Sequence, residues 1–247
     1  MTVYEIATKL PTIDVLRGRC KALAILERIV DGAEPYITYT TAWGDDEAAL
    51  MSNGGSDEWA IVFNSGGAFV RVFDHESAMS PYRDSDRELW PRLLHGVPAV
   101  FRPQIEEPAF SDGEGQFLAT AVLWRLTEDD RWHAGEGIVF PPARGPYDTD
   151  PDGTAMLEIL LDDIIDRYVE FVGDYYEMEI DRASVAHVMG HRPLTDTVVR
   201  ALNPGVTGRG STRGLRRYRI SHAGRAVTSP AGTVRRRTAG RCCPRRP

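Results

Sequence analysis

Two four-residue stretches, "NGGS" at 53–56 and "NSGG" at 64–67, constrain this chain more than any other feature in it. Each stands between runs of β-branched, aromatic and aliphatic residues. A tight hairpin turn needs positive φ at its centre, which Asn and Gly adopt at little cost and most other residues do not. The stretch "YITYTTAW", just upstream, has the composition of a strand. Together these segments predict an antiparallel meander over about residues 36–74.

The flanking segments read as helices and hairpins. "TIDVLRGRCKALAILERIVDG" repeats its apolar residues (Leu16, Cys20, Leu23, Leu26, Ile29, Val30) at helical spacing, with Thr12 or Asp14 as cap and Gly32 as stop. That predicts a helix over 13–31. "DRELWPRLLHGVP" is expected to form a short helix, with Pro91 in its first turn or kinking it. "FRPQIEEPAF" is expected to be irregular, and "GQFLATAVLWRLTEDDRWHAGEGIVFPP" to be a second hairpin turning at "TEDD". From 154 the chain turns helical and acidic, with a break near Asp162–Asp163. Two further short helices follow, the last capped by Thr195 and ended by Asn203–Pro204. No strand alternates with a helix, so a parallel sheet is not expected. The fold class is α+β: one antiparallel sheet with helices packed on one face, over a single domain of residues 1–207.

Residues 208–247 are a different material. They contain twelve arginines, no lysine and no acidic residue. Too little apolar surface is present to offset chain entropy, so a disordered tail is expected. As a nucleic-acid arm it would place Arg216, Arg217, Arg235, Arg236 and Arg237 on phosphates. As GC-rich DNA read out of frame it would yield this same arginine, glycine, proline and cysteine bias. Both readings stay open, and the second fits the abrupt loss of acids.

Setting those twelve arginines apart from the 29 basic residues leaves 17 against all 36 acidic residues in 1–207, a net charge of −19. A body of that charge repels nucleic acid and anionic membrane surfaces and favours a basic protein partner. No run approaches a membrane helix in length, and no basic-then-apolar leader opens the chain. The three cysteines (Cys20, Cys242, Cys243) form neither a disulfide framework nor a zinc pattern. A cytoplasmic protein without a cofactor is the expectation, and the scarcity of lysine, only Lys9 and Lys21, fits a GC-rich coding sequence as in actinobacteria.

The densest candidate chemistry is "DHESAMSPY" at 74–82. His75, Glu76 and Ser77 are candidates for acid–base or nucleophilic roles. Consecutive side chains on a strand point to opposite faces, however, so adjacency does not make a triad. The favoured reading is a strand end in which Asp74 and Ser77 make local turn hydrogen bonds while Phe73 and Met79 anchor the loop. "HVMGH" puts His187 and His191 four apart, a zinc-pair spacing without the glutamate of a metalloprotease helix. "DTDPDG" at 148–153 resembles a calcium loop but lacks its closing glutamate.

The segments "GRCKALAILERIV", "DHESAMSPY", "EEPAF", "DYYEMEI" and "HRPLTDTVVRALNP" as a set resemble a family of uncharacterised bacterial cytoplasmic proteins, with the length of a single domain. That resemblance implies one compact domain over 15–207 and carries no activity, cofactor or catalytic residue. The sequence therefore points to a non-catalytic protein-binding or regulatory protein, in the manner of an immunity protein, adaptor or regulator. The alternatives are an enzyme using His75 and Glu76, with or without His187 and His191, and a nucleic-acid regulator acting through the basic tail.

The tail reading is tested by truncation after Thr207. The melting temperature is expected to stay unchanged, and amide exchange to be fast across 208–247 in the full chain. A large loss of stability on truncation would make the tail part of the fold.

Overall fold

Strand pairing follows the two Asn-Gly turns. A computed structural model describes residues 1–146 and 149–205; the arginine-rich segment, with Arg216, Arg217, Arg235, Arg236 and Arg237, lies outside the described residues. Strands β1 (Ile37–Trp43), β2 (Asp46–Ser52), β3 (Glu58–Asn64) and β4 (Gly67–Phe73) form the meander, and β5 (Ala121–Leu126) and β6 (His133–Ala134) extend it. All six lie in one antiparallel sheet in chain order. At the β2–β3 turn, Asn53 Oδ1 accepts from Gly55 N at 2.7 Å, and Gly54 and Ser56 take positive φ. At the β3–β4 turn, Asn64 Oδ1 accepts from Gly66 N at 2.8 Å. Gly67 is required for a second reason: at φ +148° any Cβ would lie 2.1 Å from the Arg125 carbonyl oxygen of the neighbouring strand.

Every residue of β4 and the five central residues of β3 are buried, so both faces of the sheet are covered. On one face lies α2 (Ile13–Val30), whose Leu16, Cys20, Leu23, Leu26, Ile29 and Val30 are buried as their spacing predicts. Arg17 and Lys21 of α2 reach over the rings of Phe63 and Tyr39 at 5.0 and 5.1 Å. Helices α4 (Ile164–Tyr175), α5 (Arg182–Met189) and α6 (Asp196–Leu202) continue this layer. A short helix missing from the sequence reading, α1 (Val3–Lys9), joins it near β5 and β6. The predicted break at Asp162–Asp163 is real: Asp163 has φ +65° and caps α4. Thr195 caps α6 by accepting from Val198 N at 3.3 Å, and Asn203 beyond it donates to the Ile29 and Val30 carbonyls that end α2. Among the described residues no helix is long and apolar enough to cross a membrane.

The opposite face is covered by the connection from β4 to β5, residues 74–120, which holds only single helical turns and α3 (Arg102–Ile105). Phe101 packs on Phe69 at 5.7 Å, and Phe110 stacks on Trp43 at 5.5 Å. Under this cover Arg71 is 2% exposed, between the rings of Phe73 and Phe110, donating to Glu58 at 2.8 Å and to the Leu118 carbonyl. The helix expected at "DRELWPRLLHGVP" does not form. Pro91 lacks a backbone donor, and Arg87, Arg92 and Gly96 adopt positive φ, which breaks a helical run. The apolar residues serve separate neighbours instead: Leu93 is buried, while Trp90 donates from its indole to the Val139 carbonyl at 2.9 Å. "FRPQIEEPAF", expected to be irregular, contains α3 and one single turn of 3-10 helix, Pro108–Phe110.

A buried carboxylate ties the helical layer to the sheet. Glu27 of α2 accepts from the hydroxyls of Tyr168 (2.9 Å) and Tyr176 (2.7 Å) and from Tyr36 N (2.9 Å). Burial pushes its pKa up, and these donors hold it back only in part. A raised carboxyl pKa means the unfolded chain releases its proton first. The associated stability is thus full below the unfolded pKa and is lost as pH rises through the folded one. Glu27→Ala is expected to cost about 3 kcal/mol, because it leaves two hydroxyls and an amide without an acceptor. Glu27→Gln is expected to flatten the pH dependence of the melting temperature above the ordinary glutamate range; an unchanged slope would contradict the assignment.

Candidate functional site

The hairpin register decides what surrounds "DHES". Because Glu58 pairs with Phe73 across β3 and β4, Asp57 and Asp74 lie opposite each other just past the end of the ladder. Asp57 Oδ1 accepts from His75 N at 3.1 Å and stands 2.8 Å from His75 Nδ1. Its other oxygen accepts from Asn53 Nδ2 at 2.7 Å, so the turn that sets the hairpin also orients the carboxylate. Asp74 Oδ1 accepts from Glu76 N and Ser77 N at 2.9 and 3.0 Å, and Ser77 Oγ accepts from Met79 N at 2.9 Å. Phe73 and Met79 are buried on either side of this loop.

The loop at 149–153, recognised in the sequence only for its acids, packs against the same end of the sheet. Ser77 donates from its hydroxyl to the Pro151 carbonyl at 2.6 Å. Gly153 passes so close to Asp74 that an added Cβ would sit 2.5 Å from the Asp74 Cβ. Asp152 is fully buried, accepting from Val3 N at 2.7 Å and from the Thr154 hydroxyl at 2.7 Å. It thereby caps α1 from across the chain, which gives this acidic residue a structural role. Asp150 accepts from Ala155 N at 3.0 Å. Burial pushes Asp150 up to about 6 and raises Asp152 as well, while Asp148 lies outside the described residues.

The His75–Asp57 pair is the electrostatic centre. The Asp57 hydrogen bond raises the His75 pKa, with desolvation opposing it. Desolvation works to raise Asp57, but hydrogen bonds from His75 and Asn53 overcome it and hold the carboxyl below the usual range. Asp74 is shifted the other way, raised by burial and then by the charge of Asp57, with the Glu76 N–H opposing. Glu76 Oε1 stands 3.9 Å from His75 Nε2 on the solvent side.

The other candidates separate. Ser77 is 5% exposed, with its hydroxyl committed to the Pro151 carbonyl, so the three consecutive side chains do not form one unit. His187 and His191 do not share a helix face. Helix α5 ends at Met189, Gly190 caps it, and His191 turns out with φ +52°. His187 Nε2 is instead 2.9 Å from the Pro193 carbonyl oxygen, and His191 reaches Gly18 of α2. The zinc-pair spacing in the sequence is undone by the helix stop between the two residues. Among the described residues the one group of three metal-ligating side chains is Asp57, Asp74 and His75. Asp57 was missed in the sequence because it sits in a turn seventeen positions upstream. Counting back along the hairpin from Asn64 opposite Gly67 was the signal that identifies it.

Among the described residues, hollows lie elsewhere, two of them of similar size. One, of about 340 Å³, sits at the start of α2 between Thr12, Asp14, Arg17, Asn64 and Arg125. The other, of about 350 Å³, is lined by Trp90, Val139, Phe140, Pro141 and Pro142. Neither includes a residue of the Asp57–His75 cluster. No family model matches the chain, and neither the curated proteins nor the solved structures contain a match.

The His75 imidazole is expected to titrate above the ordinary histidine range in a ¹H–¹⁵N NMR titration, and Asp57→Asn to return it towards that range. The stability that Asp57 contributes is present above its unfolded pKa and lost as pH falls through its lowered folded one. The contribution of His75 is present below its unfolded pKa and lost as pH rises through its raised folded one. The stabilisation removed by Asp57→Asn is therefore expected to be greatest between the two unfolded pKa values, to fall away through the folded ones and to vanish beyond them. An unshifted His75 would contradict the pairing.

Proposed function

We propose that this chain is a non-catalytic protein-binding or regulatory protein, engaging a basic partner through its acidic body. The observation that carries the reading is the placement of Ser77 and His75. A nucleophile needs its base within hydrogen-bond reach and room for a reacting group beside both. Ser77 is buried and hydrogen-bonded to a carbonyl, and the hydrogen-bond partner of His75 is Asp57. Neither residue lines either hollow. What the body presents outward is charge: Glu76, Asp14, Asp162 and Glu136 have largely exposed side chains.

The net charge of −19 over residues 1–207 supports a partner of opposite sign. Complementary potential speeds encounter and rejects like-charged competitors, and salt weakens it. Nucleic acid is disfavoured for the body on the same ground, and nothing in the composition draws it to a membrane.

The test is capture of a partner from the native host by the tagged full-length chain, followed by reconstitution from purified components. The expected result is a stoichiometric complex whose affinity falls about tenfold or more between ~50 mM and ~500 mM salt. A failure to recover any reconstitutable partner at every salt concentration overturns the reading. So does turnover of a substrate that His75→Ala abolishes, which favours the enzyme.

A further inference from the structure

We infer that Asp57, Asp74 and His75 form a binding site for a first-row divalent metal ion, of the class of Zn²⁺ or Mn²⁺. Each of the three residues offers one donor atom, and these atoms all lie within 4.8 Å of one another. Donors about 2.1–2.4 Å from one ion span that separation after small side-chain rotations. The tightest pair, Asp57 Oδ1 and His75 Nδ1 at 2.8 Å, matches two neighbouring ligands of one ion. At bond lengths of about 2.1 Å that separation subtends roughly 85°, close to the angle between adjacent positions of an octahedron.

Three features distinguish this group from an ordinary patch of surface acids. It contains an imidazole, so the donor set is one nitrogen and two carboxylates. Such a set suits first-row divalent ions better than the all-oxygen shells of calcium or magnesium. Its carboxylates flank the paired ends of two central strands, since Asp57 precedes the first residue of β3 and Asp74 follows the last of β4. Both are also oriented from behind. Asn53 Nδ2 fixes one oxygen of Asp57, and the N–H groups of Glu76 and Ser77 fix one oxygen of Asp74. Such outer contacts orient ligands in metal sites.

Charge points the same way. Two carboxylates face each other across the strand ends. A dication there offsets both. Binding replaces the proton that Asp57 and His75 share: the Nδ1–H bond breaks, the proton leaves to solvent, and Nδ1 and Oδ1 both turn to the ion. The side chain of His75 is 38% exposed, which gives the ion a path in and leaves room for water to complete the shell. This site does not depend on the partner proposed above.

The experiment uses the full-length chain, stripped with chelator and titrated with Co²⁺ as a spectroscopic probe, followed by displacement with Zn²⁺ in a calorimeter. The expected result is one saturable equivalent with visible bands of nitrogen and oxygen ligation and no thiolate charge-transfer band, since Cys242 and Cys243 are present in the same chain. His75→Gln and Asp74→Asn, each confirmed folded by its melting curve, are expected to weaken binding at least tenfold. If either variant fails to fold, Mn²⁺-induced NMR broadening on the wild-type chain replaces it, and the broadening is expected to centre on residues 57 and 74–75. The proposal is overturned by an absence of saturable binding, by a thiolate spectrum, by unchanged affinity in the folded variants, or by broadening centred elsewhere.

Discussion

The two-sided burial of β3 and β4 is the constraint from which the rest of the architecture follows. A meander joined by tight turns supplies strands but nothing to cover them, and an apolar face left in water forfeits about 25 cal/mol per Å². Both covers come from segments outside the meander. The helices before and after it form one layer. The other layer is the connection from β4 to β5, residues 74–120, which forms almost no regular structure because its task is to fit the surface beneath it. The prolines and positive-φ residues in that segment are consistent with this. They forbid a long helix and let Leu93, Phe101 and Phe110 drop separately into the sheet.

Each layer is pinned by one buried titratable group. Glu27 gathers donors from α4, from the residue that follows α4 and from the residue before β1, and Arg71 reaches the Leu118 carbonyl from β4. Burying a polar group is costly unless its hydrogen-bonding capacity is met, so each discriminates strongly against a shifted arrangement of its layer. Apolar contacts tolerate sliding far better. The two groups thus specify position, while the hydrophobic cluster supplies most of the cohesion.

The sheet was legible in the sequence because hairpin turns are local chemistry: Asn53–Gly54 and Asn64 state their conformation without help from the rest of the chain. Helix α2 was legible for a similar reason, since its apolar stripe is long and regular. Helix α1 was not, because it is only two turns long and one of its caps, Asp152, lies 149 residues away. The run at 86–98 misled because Leu89, Trp90, Leu93 and Leu94 have helical spacing, while Arg87, Arg92 and Gly96 take positive φ. The site divides along the same line. The local hydrogen bonds of Asp74 and Ser77 could be anticipated from the loop. The role of Asp57 required the strand register, and the separation of His187 from His191 required knowing where α5 stops.

The strictly sequential strand order also bears on how the chain reaches this structure. Pairings from β1 to β4 close over turns of a few residues, whereas β4 meets β5 only after residues 74–120 have been looped out. Closing that larger loop costs about 2 kcal/mol more entropy than closing a tight turn. The first four strands can therefore assemble as a nucleus while the fifth is still searching. Until it arrives, β4 presents an open edge of unpaired backbone groups. Gly67, whose backbone fits against Arg125 with no room for a side chain, stands at the point where that edge is finally sealed.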